Sequence, residues 1–251
     1  MNSPSRTVPS ILLVLSISLA ACSSAQNGPT PSPPPAASKA PSPSPTTPPP
    51  TSTITPTATP TPYPLLWDDF SDNLQPGWTW IRENDALWSL TSEPGYLRIV
   101  LEGASLPRNL LVRDVTSENF QITTHVLFTP TTNFQGAGLI VYQDDETRVS
   151  LVRGYCDVCV GNGIYFDRIE GGRFTGPNFG IDTQLKDEAY LRINKDGSLF
   201  TAYYSEGGAN WQTIGQHEIF MTDPKVGLLT GGSHVVGAIA LFDYFGLQEM
   251  P

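Results

Sequence analysis

The sequence predicts an all-β domain, a sandwich or barrel of antiparallel strands, preceded by a disordered stretch. Three observations carry this. Beyond Pro64, short runs rich in Val, Ile, Thr and aromatic residues recur between turn residues at intervals of roughly eight to twelve, the rhythm of sandwiches and barrels. No stretch there keeps the i, i+3, i+4, i+7 apolar spacing for three turns without Gly or a β-branched cluster, so helices are not expected. The 5 Trp, 9 Tyr and 11 Phe all lie at or beyond Tyr63, which in about 185 residues supports one sizeable core and one domain.

Residues 1–21 come first. Arg6 precedes an apolar run from Ile11 to Ala21 that suits a signal peptide core and falls short of the about 20 residues needed to span a bilayer. Leu19-Ala20-Ala21-Cys22 resembles a bacterial lipoprotein signal, which implies acylation of Cys22; an ordinary secretory signal cleaved near Ala21 is the alternative. Two or more acyl chains hold stably where one does not, so the implied location is extracytoplasmic, on a membrane and not across it.

Residues 22–64 form the next element. From Gln26 to Pro64 the chain contains little but Pro, Thr, Ser and Ala, with Lys39 as its one charge, and lacks the apolar side chains to offset ordering entropy. At roughly 3.1 Å per residue in polyproline II, such a stalk reaches on the order of 100 Å.

Residues 65–251 hold the domain. Strands are predicted at Gly95 to Leu101, Asn109 to Val115, Phe120 to Phe128, Ala137 to Gln143, Arg148 to Arg153 and Gly163 to Arg168. Others follow at Ala189 to Asn194, Ser198 to Ser205, Gln212 to Phe220, Lys225 to Thr230 and Ala238 to Gln248. Glu170-Gly171-Gly172 and Asn194-Lys195-Asp196-Gly197 are turn signals between them. Alternation puts Phe120, Ile122, Val126 and Phe128 on one face of their strand and Gln121, Thr123 and His125 on the other, with Thr124 and Leu127 as exceptions. It likewise buries Leu191 and Ile193 and turns Tyr190, Arg192 and Asn194 outward.

All 24 acidic residues follow Pro64, whereas Arg6 and Lys39 precede it, so the domain is more acidic than the whole chain at −10. That balance argues against nucleic acid or anionic lipid as a partner. Cys156-Asp157-Val158-Cys159 in an exported protein reads first as a small-loop disulfide. A zinc site needs two further ligands, from His125, His217 and His234, and a redox pair needs a βαβ context that Gly161-Asn162-Gly163 does not provide.

Trp78-Thr79-Trp80-Ile81-Arg82, Trp88-Ser89-Leu90, Pro94 to Ile99, Phe120 to Pro130 and Gly136 to Tyr142 follow one another in an order that resembles the C-terminal domain of family 43 β-xylosidases. The resemblance covers most of Leu66 to Gln248 and implies a concanavalin A-like jelly-roll of two antiparallel sheets. In those enzymes catalysis belongs to a separate propeller, so no catalytic residue carries over. The Glu-x-Asp-x-x-Glu motif of related glucanases does not occur, and neither does Gly-x-Ser-x-Gly.

The expected function is therefore a non-catalytic, lectin-like one: a monomeric surface lipoprotein holding a polysaccharide or surface glycan, xylan-type in the first instance. An envelope module that docks protein is the competing class, and a glycoside hydrolase using Glu102, Asp144 or Glu188 is the third. Sugar binding wants a flat aromatic ring beside amide, guanidinium or carboxylate groups. The candidates are Asn109, Arg113, Gln135, Tyr142, Gln143, Arg153, Tyr155 and Tyr165. No cofactor is required; Asp69 and Asp243, acids beside aromatics on the terminal strands, are read either as ligands of a structural Ca²⁺ or as caps on loop amides.

Overall fold

A computed structural model describes residues 64–103, 106–232 and 237–250. The expected signal peptide, Cys22, the expected stalk before Pro64 and His234 lie outside the described residues.

Strands β1 (Pro64–Asp68), β2 (Thr79–Ile81), β3 (Trp88–Ser89), β4 (Leu97–Val100) and β5 (Leu110–Asp114) lead into the longer β6 (Phe120–Phe128), β7 (Gly136–Tyr142), β8 (Arg148–Cys156) and β9 (Gly161–Glu170). Short β10 (Arg173–Phe174) and β11 (Phe179–Asp182) precede β12 (Glu188–Asp196), β13 (Leu199–Ser205), β14 (Gln212–Glu218), β15 (Lys225–Gly231) and β16 (Ile239–Glu249). Among the described residues the one helical element is a 3₁₀ turn at Asp85–Leu87.

These strands make two antiparallel sheets in a jelly-roll sandwich. The first runs β14-β13-β12-β6-β16-β4-β3, with β1 also on β16; the second runs β10-β9-β8-β7-β15-β5-β2, with β11 also on β9. Sequence neighbours are often not sheet neighbours. β6 lies between β12 and β16, and β15 between β5 and β7. All eleven predicted strands are present with ends moved by a few residues, and the strands added are short.

Alternation explains which side chains meet between the sheets. Phe120, Ile122, Val126 and Phe128 of β6, Leu191 and Ile193 of β12 and Phe242 and Phe245 of β16 face Leu139 and Val141 of β7, Val149 and Leu151 of β8 and Ile164 and Phe166 of β9 in one continuous core. Each such large side chain contributes about 1.5–3 kcal/mol by leaving water. Thr124 breaks the pattern on β6 yet is fully buried, because its hydroxyl donates to the Tyr244 carbonyl at 2.6 Å. The outward face of the second sheet carries a smaller apolar group of Leu110, Val112, Ile140, Tyr142 and Leu229.

Candidate functional site

Over the outward face of the second sheet lies a cleft of about 1060 Å³. Its floor follows from strand register. With Val149, Leu151 and Arg153 turned toward the core, β8 presents Arg148, Ser150, Val152 and Gly154 outward; these pair with Ile169, Asp167, Tyr165 and Gly163 of β9. At one end Gly231, Gly136 and Gly154 stand side by side on β15, β7 and β8 and line the cleft. A side chain at Gly154 would sit 2.8 Å from the Gln135 carbonyl oxygen, so this row stays bare and the floor sinks there.

The rim comes from loops and from the short edge strand β10. Leu106, Phe134 and Phe174 stand exposed around the opening. Tyr155 and the bonded Cys156 and Cys159 form another part of the wall. The two cysteines are joined with their Cα atoms 5.2 Å apart, and the Asn133 amide donates to Asp157 at 2.5 Å, fastening the cysteine turn to the neighbouring loop. Tyr165 donates its hydroxyl to the Gly161 carbonyl, which holds its ring at the cleft wall, and burial pushes its pKa up.

Electrostatics at the floor are uneven. The Arg148 guanidinium donates to the Asp145 carbonyl. Arg168 donates to Thr175 Oγ1 at 2.9 Å and to the Glu218 carbonyl at 2.6 Å. Asp145 itself pairs with Arg82 at 2.8 Å and accepts from the Tyr142 hydroxyl at 3.0 Å. By contrast the Asp167 carboxylate has no hydrogen-bond or ion-pair partner among the described residues, and burial alone pushes its pKa up to about 6.

The structure brings Gln135, Tyr155 and Tyr165 of the predicted set to this cleft, and places Tyr142 on the same sheet face beside it. The others serve the fold. Asn109 is buried, accepting from the Asn84 amide at 2.6 Å and donating to the Asn84 carbonyl at 3.2 Å. Arg113 lies over the Trp78 ring, 5.3 Å from its centroid. Gln143 donates to Asp144 and accepts from the Thr222 amide at 2.8 Å, which ties two loops. Arg153 is fully buried and donates to the Gly163 and Lys186 carbonyls and to Asn162; desolvation brings its pKa down to about 10.

Sequence reasoning missed Asp167, Ser150, Phe134 and Phe174. The alternation that turns Tyr165 outward also turns Asp167 outward, so that signal was available. Asp69 and Asp243 serve different neighbours: Asp69 accepts from the Ser71 hydroxyl at 2.8 Å, and Asp243 lies 3.1 Å from the His125 ring. No group of three or more His, Cys, Asp or Glu that would hold a metal ion occurs among the described residues.

The profile of the beta xylosidase C-terminal concanavalin A-like domain matches residues 67–246. The chain belongs to this family. Among solved structures it is similar to the family 43 protein BlXynB of Bacillus licheniformis, with 22% identity over 73% of this chain and 39% of that one and a TM-score of 0.67. It is similar also to a xylan beta-1,4-xylosidase from Bacillus halodurans C-125, with 24% identity over 77% of this chain and 41% of that one and a TM-score of 0.65. A third, the GH43B protein of a Bacteroides ovatus xyloglucan locus, shows 20% identity over 78% of this chain and 41% of that one, with a TM-score of 0.66. The concanavalin A-like domain thus spans about two fifths of the length of those chains. No curated protein matches it.

Proposed function

We propose that this concanavalin A-like domain is a non-catalytic carbohydrate-binding module whose cleft receives a xylan-type polysaccharide. The observation that carries the reading is the cleft itself: an open trough with a glycine-lined floor and aromatic side chains Tyr155, Tyr165 and Phe134 along it. Flat rings beside hydrogen-bonding groups are what a pyranose requires, since its axial C–H faces are apolar and its rim is hydroxylated. Kinship with domains of xylan-cleaving enzymes supports the choice of sugar.

In this proposal the lipid on Cys22 anchors the chain outside the cytoplasm of a bacterium, and residues 22–64 hold the domain away from the membrane as a stalk. The module then keeps polysaccharide, or enzymes acting on it, near the cell. Isothermal titration of the whole chain with xylohexaose tests the reading. Binding that drops at least tenfold in Tyr155→Ala, with thermal melting unchanged, is the expected result; no heat of binding at millimolar sugar overturns it.

A further inference from the structure

We propose that Asp167 sets the ligand preference of the cleft: its carboxylate accepts hydroxyl groups of an uncharged sugar residue and turns away residues that carry a carboxylate of their own. The inference rests on the carbohydrate reading above and adds to it the charge class of the sugar.

Three features lead to it. Asp167 projects from the middle of β9, opposite Ser150 on β8, with Tyr165 and Ile169 on either side of it along its own strand. It is therefore on the floor, where it can meet the hydroxyls of a sugar lying in the cleft. Second, its carboxylate lacks a protein partner, while the cations of the cleft are directed elsewhere: Arg148 to the Asp145 carbonyl, Arg168 to Thr175 and Glu218. Third, the remaining charged groups of the lining, Asp145 and Glu146, are acids, and Tyr155 and Tyr165 are the other titratable groups of the walls. Three carboxylates, Asp145, Glu146 and Asp167, thus line the cleft with two guanidiniums, Arg148 and Arg168, that are hydrogen-bonded to protein groups.

A half-buried acceptor without a protein donor is a specificity device. A ligand hydroxyl that reaches it makes a charge-assisted hydrogen bond, whereas a ligand carboxylate meets a like charge. The preference must then follow the ionisation of Asp167. Above its raised pKa of about 6 the ionised carboxylate accepts strongly from hydroxyls; below it the neutral acid accepts weakly and repels nothing.

The experiment is titration calorimetry of the whole chain with xylohexaose and with a glucuronic acid-substituted xylo-oligosaccharide of the same backbone length, at pH 7.5 and pH 4.5. Xylohexaose is expected to bind about tenfold more tightly at pH 7.5 than at pH 4.5, and at pH 7.5 about tenfold more tightly than the acidic sugar. Asp167→Asn keeps the side-chain shape and is expected to flatten both differences. Equal affinities across pH and across the two sugars, or an unchanged pattern in Asp167→Asn, overturn the role of Asp167 and leave the carbohydrate reading standing. Absence of binding to either sugar at either pH overturns both.

Discussion

The indole N–H of Trp78 donates to Asp68 Oδ2 at 2.7 Å, and this bond anchors the first loop of the domain. Asp68 is buried, and its carboxylate also accepts from the Phe70 amide at 3.1 Å and the Gln75 amide at 2.9 Å. One side chain at the end of β1 thus satisfies three donors and lets the loop turn back toward β2, with Phe70 set in the core at a φ of 54°. Trp78 in turn meets Phe245 edge-on, ring centroids 5.0 Å apart, so the loop is joined to β16.

Replacing Asp68 with Ala should therefore destabilise the domain strongly. Three buried or half-buried donors lose their acceptor, and each unsatisfied group costs about 1–3 kcal/mol before relaxation. Chemical denaturation should show a loss of about 3 kcal/mol for Asp68→Ala, and less for Asp68→Asn, which keeps one acceptor oxygen.

Asp167 makes a prediction about stability as well as binding. Its pKa rises from the ordinary value of 3.8 to about 6 on folding, so the folded state holds the extra proton between those values. The stabilising protonated form is fully present below pH 3.8 and is lost as pH rises through about 6; at neutral pH the ionised group opposes folding. Asp167→Asn should then raise stability at pH 7 by about 1–2 kcal/mol and leave it nearly unchanged at pH 3.5. Denaturant titrations at both pH values give the difference directly, and an equal gain at both would rule out ionisation as its source. A residue that lowers stability in this way fits one kept for the ligand.

The Cys156–Cys159 bond closes a very short loop, and loop-closure entropy grows only slowly with length, so its contribution is about 2 kcal/mol at most. Its larger effect should be on the cleft. Cys156, Cys159 and Tyr155 share one wall, and Asp157 reaches Asn133 across the gap. Reduction with dithiothreitol, or Cys156→Ser with Cys159→Ser, should lower the melting temperature by a few degrees and weaken xylohexaose binding several-fold. Unaltered binding after reduction, followed by mass spectrometry, would detach the turn from recognition.

Much of the fold was legible because a strand with one face in the core must alternate. Phe120 to Phe128 declares its buried face in the sequence, and Ala189 to Asn194 does the same. Strands such as Trp88–Ser89 and Arg173–Phe174 were not legible, since so few residues carry no period and pair only because longer neighbours present an edge. The site was read less well, for a related reason. Arg153 was chosen for its guanidinium, yet it alternates with Val149 and Leu151 and so belongs inside; residue type was weighed above strand face. Tyr165 and Asp167 share the outward face, and only the first was taken. Phe134 reaches the rim from a loop held by its amide's bond to the Tyr155 carbonyl, and Phe174 from the two-residue β10, neither of which carries a period that a local pattern could show.

Arg153 supplies the last test, because its burial makes it a structural cation in a position where a ligand contact was expected. The guanidinium sits fully buried in the second half of β8 and gathers the Gly163 and Lys186 carbonyls and the Asn162 side chain, joining β9 to the segment that leads into β12. Its depressed pKa of about 10 reports desolvation as the main influence on it. Arg153→Ala leaves those acceptors without donors and opens a cavity, and should cost about 3–5 kcal/mol in denaturant unfolding. Arg153→Lys restores one point charge without the planar fork and should recover only part of that loss. If Arg153 instead touched the sugar, the lysine variant would melt like the parent while binding xylohexaose weakly. The structure predicts the reverse: a lowered melting temperature, with affinity retained by the folded fraction.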